Sequence, residues 1–284
     1  MNKLVGYLRL MRPLNCLMMG FAVLVGTVLG DSSSLNSGSH GGLIYGFLTG
    51  FTLTAASMAI NDYYDRNADA VNEPDRPIPS EIVMPREALF LATILTIIGF
   101  GAALLTNTPC FFTAIAAWAV FTIYTTIGKR SGLPGNFLVS TCVAIPFIYG
   151  SLVATTLVRL NVLLFVLMVF LSNTGREITK GIADVRGDRA QNVKTLAVRY
   201  GEKRAAVVAA FFYLSAVSLS PVPWYLGIVS FWFLPLVALT DLGLVVSSTM
   251  LLKDYSYESA RRIKKNVLLW FLLGLLSFVA GTLQ

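Results

Sequence analysis

The spacing of its apolar runs is what most restricts this chain. Stretches of about 17 to 25 residues, the length a helix needs to cross the hydrocarbon core of a bilayer, recur at 13–30, 42–61, 88–106, 109–127, 134–154, 161–178, 203–220, 226–251 and 265–282. They predict an all-α polytopic membrane protein of about nine transmembrane helices. Composition excludes a soluble domain: the 284 residues are 55% hydrophobic and 13% charged, with a mean hydropathy of +0.69. The first run follows Arg9 and Arg12 without a small-residue cleavage signal, so it is expected to be a retained helix and no signal peptide.

Basic residues test the helix count independently. With nine spans, 21 of the 22 lysines and arginines fall on one side, in segments holding Lys3, Arg9 and Arg12; Arg66, Arg76 and Arg86; Lys129 and Arg130; Arg176 through Arg204; and Lys253 through Lys265. Only Arg159 falls on the other side. By the positive-inside rule the N-terminus is cytoplasmic, the C-terminus external, and the protein a multi-pass component of the cell membrane. The net charge of +7 then sits mainly at the cytoplasmic face, where it favours anionic lipid headgroups and anionic substrates. Nucleic acid is excluded as a partner, because the basic residues lie between spans and on no soluble module.

Two acidic motifs stand at the ends of apolar runs on that same side. Asn61-Asp62-x-x-Asp65-x-x-x-Asp69 follows the second run and Asp184-x-x-x-Asp188 follows the sixth. At about 100° per residue, Asp62, Asp65 and Asp69 share one helical face, and Glu177, Asp184 and Asp188 share another. Single carboxylates near helix ends are commonly just solvated. Two such faces across a shared cavity repel unless cations lie between them, and residues that persist at a membrane boundary commonly do chemistry or transport. Hard oxygen donors suit Mg²⁺, which keeps part of its water and fills its remaining positions with substrate phosphates. Arg66 and Arg76 flank the first motif, and Arg176, Lys180, Arg186 and Lys194 the second, a clamp for a departing diphosphate.

Such a leaving group implies an allylic cation, which needs water excluded and electron-rich faces nearby. Tyr63, Tyr64, Phe121, Tyr124, Phe147 and Tyr149 offer such faces, with packing or an interfacial belt as the competing reading. Tyr124 stands out, one turn before Lys129 at a helix end. The single histidine, His40, falls in a Ser/Gly-rich external loop from Asp31 to Gly42 and is expected to be solvated. Cys16, Cys110 and Cys142 show no metal spacing and read as small hydrophobes, so a zinc or haem site is not expected. Asp241 lies inside the eighth apolar run, either lining a cavity or hydrogen-bonded to a neighbouring helix.

The two motifs recur 122 residues apart, from Asp62 to Asp184, so the single domain 1–284 divides on this reading into four-helix halves of about 1–130 and 131–260 plus a final helix. A carboxylate-lined helix bundle also fits a cation-coupled transporter. Acids gathered toward one side and ringed by Arg and Lys suit a bound phosphate better than a passing cation.

At these residues the chain resembles the UbiA superfamily of intramembrane prenyltransferases. The resemblance runs over nearly the whole length, through Arg12-Pro13-x-Asn15, the Asn61 to Asp69 motif with Arg76-Pro77-x-Pro79-Ser80, Tyr124 to Lys129, Arg176-Glu177-x-x-Lys180, Asp184-x-x-Gly187-Asp188 and Thr195-Leu196-Ala197. It implies nine helices around a central cavity facing the cytoplasm, two Mg²⁺ ions, and transfer of a prenyl chain from its diphosphate to an acceptor. Within the superfamily the chain looks most like the archaeal members that alkylate geranylgeranylglyceryl phosphate with a second geranylgeranyl chain. Prenylation of an aromatic acceptor is the alternative. Many relatives carry an acid where this chain has Gly181, which leaves Asp184 and Asp188 as the second motif with Glu177 a turn or two away. The candidates are then Asp62, Tyr124 and Lys129 for catalysis; Asn61, Asp65, Asp69, Asp184 and Asp188 for the metal; Arg66, Arg76, Lys129, Arg176 and Lys180 for the diphosphate; and Arg12 and Asn15 for the acceptor.

Overall fold

Helices account for the regular structure of the described residues, 2–31, 40–190 and 192–282, with no strand among them in the computed structural model. Nine of these helices are long and apolar enough to cross a membrane, as the apolar runs predict. The chain runs through α1 (Lys3–Met11), α2 (Pro13–Gly30), α3 (His40–Asn72), α4 (Pro85–Thr106), α5 (Thr108–Thr126), a 3₁₀ turn at Gly128–Arg130, α6 (Leu133–Thr155), α7 (Leu160–Ala183), α8 (Val185–Ala190), α9 (Leu196–Tyr200), α10 (Glu202–Leu219), α11 (Val222–Tyr225), α12 (Phe233–Lys253) and α13 (Tyr257–Ala280). The protein is therefore a multi-pass membrane protein. Its helices present large apolar side chains outward, among them Leu14, Ile97, Phe112 and Leu160, as a lipid solvent requires.

Helix ends depart from the apolar runs chiefly in α3, in α7, which runs on to Ala183, and in α12 and α13. The second run stops at residue 61, but α3 continues to Asn72, because the acidic residues that follow are compatible with helix and simply leave the apolar face. His40, expected in a loop, is the first residue of α3; residues 32–39 of that loop lie outside the described residues. The eighth run, 226–251, begins as a turn: Gly227, at φ +67°, follows α11, and α12 starts only at Phe233, with Pro235 in its first turn, where the missing N–H has no helical partner to lose. The ninth helix starts eight residues before its apolar run, at Tyr257, because Ser256 caps it by accepting from the Ser259 N–H.

Two compact units divide the chain, one formed by residues 1–125 and 146–157, the other by 126–145 and 158–284. The division passes through α6 at Pro146, which removes a backbone donor from the helix interior. In the first unit, Ala55, Ala56 and Ala59 of α3 pack against Ala88 and Ala92 of α4, with Leu10, Cys16, Ile78 and Val83 closing the cluster. Small residues let helices approach closely where lipid provides no hydrophobic drive. The closest approach joins α2 to the end of α6. A side-chain carbon on Gly150 would overlap the Val23 carbonyl, and one on Gly26 would overlap that of Phe147. Cys110 packs nearby with Tyr149, whose hydroxyl lies 3.2 Å from Thr49 Oγ1, so Tyr149 is a buried, satisfied packing residue.

In the second unit, Ile178 and Ile182 of α7, alanines of α10 and Ala260, Ile263 and Val267 of α13 form one core. Gly175 lets Tyr213 lie against α7, where its hydroxyl is 3.1 Å from Thr179 Oγ1. Asp241 accepts a short hydrogen bond from Ser220 at the end of α10, a contact between neighbouring helices of the kind one of its readings expects. The three cysteines are free, Cys16 and Cys110 buried and Cys142 partly so.

Candidate active site

α3 carries the first acidic motif. Its 33 residues reach about 50 Å at roughly 1.5 Å each, well beyond a hydrocarbon core of about 30 Å. The last turns therefore extend past the apolar span as a rigid helix, holding Asp62, Asp65 and Asp69 on one face as predicted. Asp62 is buried and paired with two arginines: Arg12 Nη2 lies 2.6 Å and Arg76 Nη1 3.6 Å from its Oδ1. Arg76 Nη1 is also 2.6 Å from Asp69 Oδ2. Burial pushes the Asp69 carboxyl up from its ordinary value, against the pull of Arg76. Asp65 is partly exposed and accepts a 2.9 Å bond from Asn61 Nδ2, so this amide and carboxylate face the same way.

Local sequence explains how the two arginines arrive. Pro13 ends α1, and Arg12 takes the left-handed conformation, φ 52° and ψ 68°, from which its carbonyl accepts the Asn15 and Cys16 N–H groups that open α2. Arg76 sits in the loop between α3 and α4, which is anchored by buried Ile78 and Val83 and turned by the bond from Ser80 Oγ to the Arg76 carbonyl. Arg66, expected at a diphosphate, donates to the Tyr63 carbonyl and lies 4.5 Å over the Tyr63 ring. Tyr64 is exposed against that ring. Tyr124 is half-buried near the end of α5, and Phe147 is buried. Asn15 is exposed in the first turn of α2.

The second unit holds the second motif in a different form. Glu177, Asp184 and Asp188 lie on no single continuous helix: α7 ends at Ala183, Asp184 caps it at φ −101° and ψ 5°, and α8 begins at Val185. The spacing looks helical, but Asp184 is a cap. Glu177 is taken up within α7 by Arg176, at 2.9 Å, and Lys180, at 3.5 Å. The Arg176 Nε–H is buried with no acceptor among the described residues. Asp184, with 42% of its side chain exposed, pairs at 3.1 Å with Lys264 of α13. Asp188 lies in the first turn of α8. Burial, then the neighbouring Asp184 charge, push its carboxyl up to about 6, against a hydrogen bond from Thr195 and the charges of Lys180 and Lys129. Lys129 is brought there by the 3₁₀ turn: Lys194 N–H donates to the Arg130 carbonyl, and Gly132 at φ +78° leaves room for the Lys194 carbonyl.

The pairs Arg12–Asp62 and Lys264–Asp184 are 50 and 80 residues apart, beyond any helical periodicity. No group of three or more carboxylates or other ligating side chains converges on a metal position among the described residues. That pattern fits a cation completed by substrate phosphate, because Mg²⁺ is commonly bound through one or two carboxylates plus phosphate oxygens and water. Asn61 with Asp65, and Asp184 with Asp188, are all-oxygen pairs of that kind.

Comparison with known proteins identifies relatives over the whole chain. The model of the UbiA prenyltransferase family matches residues 19–279. A protein of Archaeoglobus fulgidus named digeranylgeranylglyceryl phosphate synthase is 37% identical, over 99% of this chain and 98% of its own. A solved structure from work on digeranylgeranylglyceryl phosphate synthase in membranes has a TM-score of 0.78 at 30% identity, covering 99% of both chains. A UbiA homolog from Archaeoglobus fulgidus, solved with GPP and Mg²⁺, has a TM-score of 0.68 at 16% identity over 96% of this chain and 99% of its own, a likeness of fold.

Proposed function

We propose, since the chain belongs to the UbiA prenyltransferase family, that it transfers a geranylgeranyl group from its diphosphate to the free hydroxyl of geranylgeranylglyceryl phosphate, in the membrane synthesis of archaeal ether lipids. The observation that carries this reading is the 37% identity with the Archaeoglobus fulgidus synthase across essentially the full length of both chains, through both acidic segments.

Two Mg²⁺ ions, held by Asn61 and Asp65 and by Asp184 and Asp188, would neutralise the departing diphosphate; Mg²⁺ accompanies GPP in the Archaeoglobus fulgidus UbiA homolog. Lys129 and Lys180, both acting on Asp188, and Arg176, with its unmatched Nε–H, supply donors to the phosphate oxygens. Tyr124 presents a half-buried ring toward the end of α5, suited to an allylic cation. The acceptor hydroxyl oxygen bonds the prenyl carbon as the carbon–oxygen bond to diphosphate breaks, the hydroxyl proton is released, and no covalent enzyme intermediate forms. The bias of 21 basic residues to one side supports a cytoplasmic face of the cell membrane for this chemistry, and cysteines introduced at Ser80 and Ser256 are then expected to label from the cytoplasm.

The deciding assay supplies purified protein with geranylgeranyl diphosphate, geranylgeranylglyceryl phosphate and aromatic acceptors together. Mass spectrometry is expected to find the digeranylgeranyl lipid. A prenylated hydroxybenzoate or naphthoate, with no such lipid, transfers the protein to the aromatic-acceptor class.

A further inference from the structure

We propose that Arg12 is a positioning residue that acts through Asp62, and that Arg12, Asp62, Arg76 and Asp69 form one alternating chain of charges that sets the pose of the last turns of α3. This rests on the prenyltransfer reading above and reassigns Arg12 from the acceptor to the enzyme's own framework. Three observations carry it. The Asp62 side chain is only 4% exposed, and both arginines converge on its one oxygen, Oδ1. Arg76 continues the chain to Asp69, so each charge has an opposite neighbour and both buried carboxylates are matched. Arg12 is also one of the few residues other than glycine held at positive φ, and that backbone turn delivers its guanidinium to α3 from the junction of α1 and α2.

The chain of charges has a chemical consequence. A carboxylate this buried is spent on its arginines, so Asp62 itself does not touch substrate. What the chain does instead is hold α3 in register, and with it Asn61 and Asp65, one turn apart and hydrogen-bonded to each other at 2.9 Å, the pair assigned to the metal above. An acceptor-binding Arg12 would bind its ligand similarly in ground and transition states, whereas a positioning Arg12 alters the assembled site and therefore turnover.

The test uses the full chain purified in detergent, as Arg12→Lys, Arg12→Gln, Asp62→Asn and the double variant Arg12→Gln/Asp62→Asn. Steady-state kinetics are measured for both substrates, and unfolding midpoints without substrate. Arg12→Gln is expected to lower kcat about 10-fold or more with the acceptor KM within about 3-fold of wild type, and Arg12→Lys to recover most of kcat. The double variant is expected to be no worse than Arg12→Gln, in turnover and in midpoint, because the buried charge that Arg12 partnered is gone. A raised acceptor KM with kcat intact, or losses that multiply in the double variant, overturns the proposal. If wild type makes only a prenylated aromatic, the acceptor assignment fails, while the kinetic split measured with that acceptor and the midpoint cycle still decide the role of Arg12. If Arg12→Gln does not fold, Arg12→Lys and Asp62→Asn decide it: a lysine variant with wild-type kcat and a raised acceptor KM overturns it, and lowered kcat in both with acceptor KM unchanged supports it.

Discussion

The two acidic segments share the spacing Asp-x-x-x-Asp and end in opposite electrostatic conditions. In the first unit the motif lies on an unbroken helix, and arginines from two loops neutralise Asp62 and Asp69 beneath the surface. In the second the helix stops at Asp184, and lysines and a threonine surround carboxylates that remain partly open. The residue pattern alone therefore does not set a carboxylate's work. The partners delivered by distant segments do, leaving one motif largely clamped and the other exposed.

The largest expected effect concerns Asp65 and Asp188, one carboxylate from each proposed metal pair. Asp65→Ala and Asp188→Ala are each expected to lower turnover by at least about 100-fold, as loss of a principal electrostatic stabiliser does, and EDTA to abolish activity. Near-wild-type rates in both variants, or full activity in EDTA, break the equivalence of the two proposed pairs.

Stability is where the two regions are expected to separate. Asp62→Asn strands two arginines that are about a third exposed, so a loss of about 2–4 kcal/mol is expected, the lower part of the range for a broken buried pair. Asp184→Asn, at a pair 42% exposed on the acidic side, is expected to change stability by about 1 kcal/mol or less. Equal losses in chemical denaturation would remove the distinction between clamped and open.

A pH series sharpens the second region. Asp188 holds its proton up to about 6 in the fold, above an ordinary 3.8. A raised carboxyl contributes stability that is present below the unfolded value and lost as pH rises through the folded one. In EDTA, Asp188→Asn, permanently neutral, should gain on wild type as pH rises from 4 to 7. Parallel midpoint curves would contradict the burial of Asp188.

The smallest effects test packing beside the second motif. A side-chain carbon on Gly175 would sit 2.9 Å from the Tyr213 ring and 3.0 Å from the Ala209 carbonyl, so Gly175→Ala is expected to cost about 1–3 kcal/mol. On Gly181 its nearest contact would be Thr195, at an ordinary 3.5 Å, so Gly181→Ala should be neutral or stabilise α7 by up to about 1 kcal/mol. Thermal unfolding of the two variants should show opposite shifts, and a matching loss at Gly181 would mean that position is tightly packed.

Much of the architecture was legible because a bilayer leaves few options: nine apolar runs of spanning length match nine helices of spanning length among the described residues. The misreadings fall where hydrophobicity ceases to report. α3 runs past residue 61 because acidic residues are compatible with helix. The break at Asp184 escaped notice because residues 177, 184 and 188 fit a 3.6-residue repeat whether or not the helix is continuous. Asp65 beside Asn61 is a contact one turn apart and was within reach of the sequence. Arg12 with Asp62, Arg76 with Asp69 in a folded loop, and Lys264 with Asp184 depend on how separate segments pack, which one sequence does not display.

The glycine crossing between α2 and the end of α6 also has a consequence for biosynthesis. Gly26 emerges early from the ribosome, but its partners Phe147 and Gly150 follow more than 100 residues later, after the second unit has begun at residue 126. The first unit thus stays incomplete through the insertion of three intervening spans, α3, α4 and α5, with the glycine face of α2 waiting for its mate. A chain arrested at residue 145 would carry every acid and arginine of the first motif and still lack the segment that closes its unit. Such nascent chains are the ones expected to need a membrane chaperone.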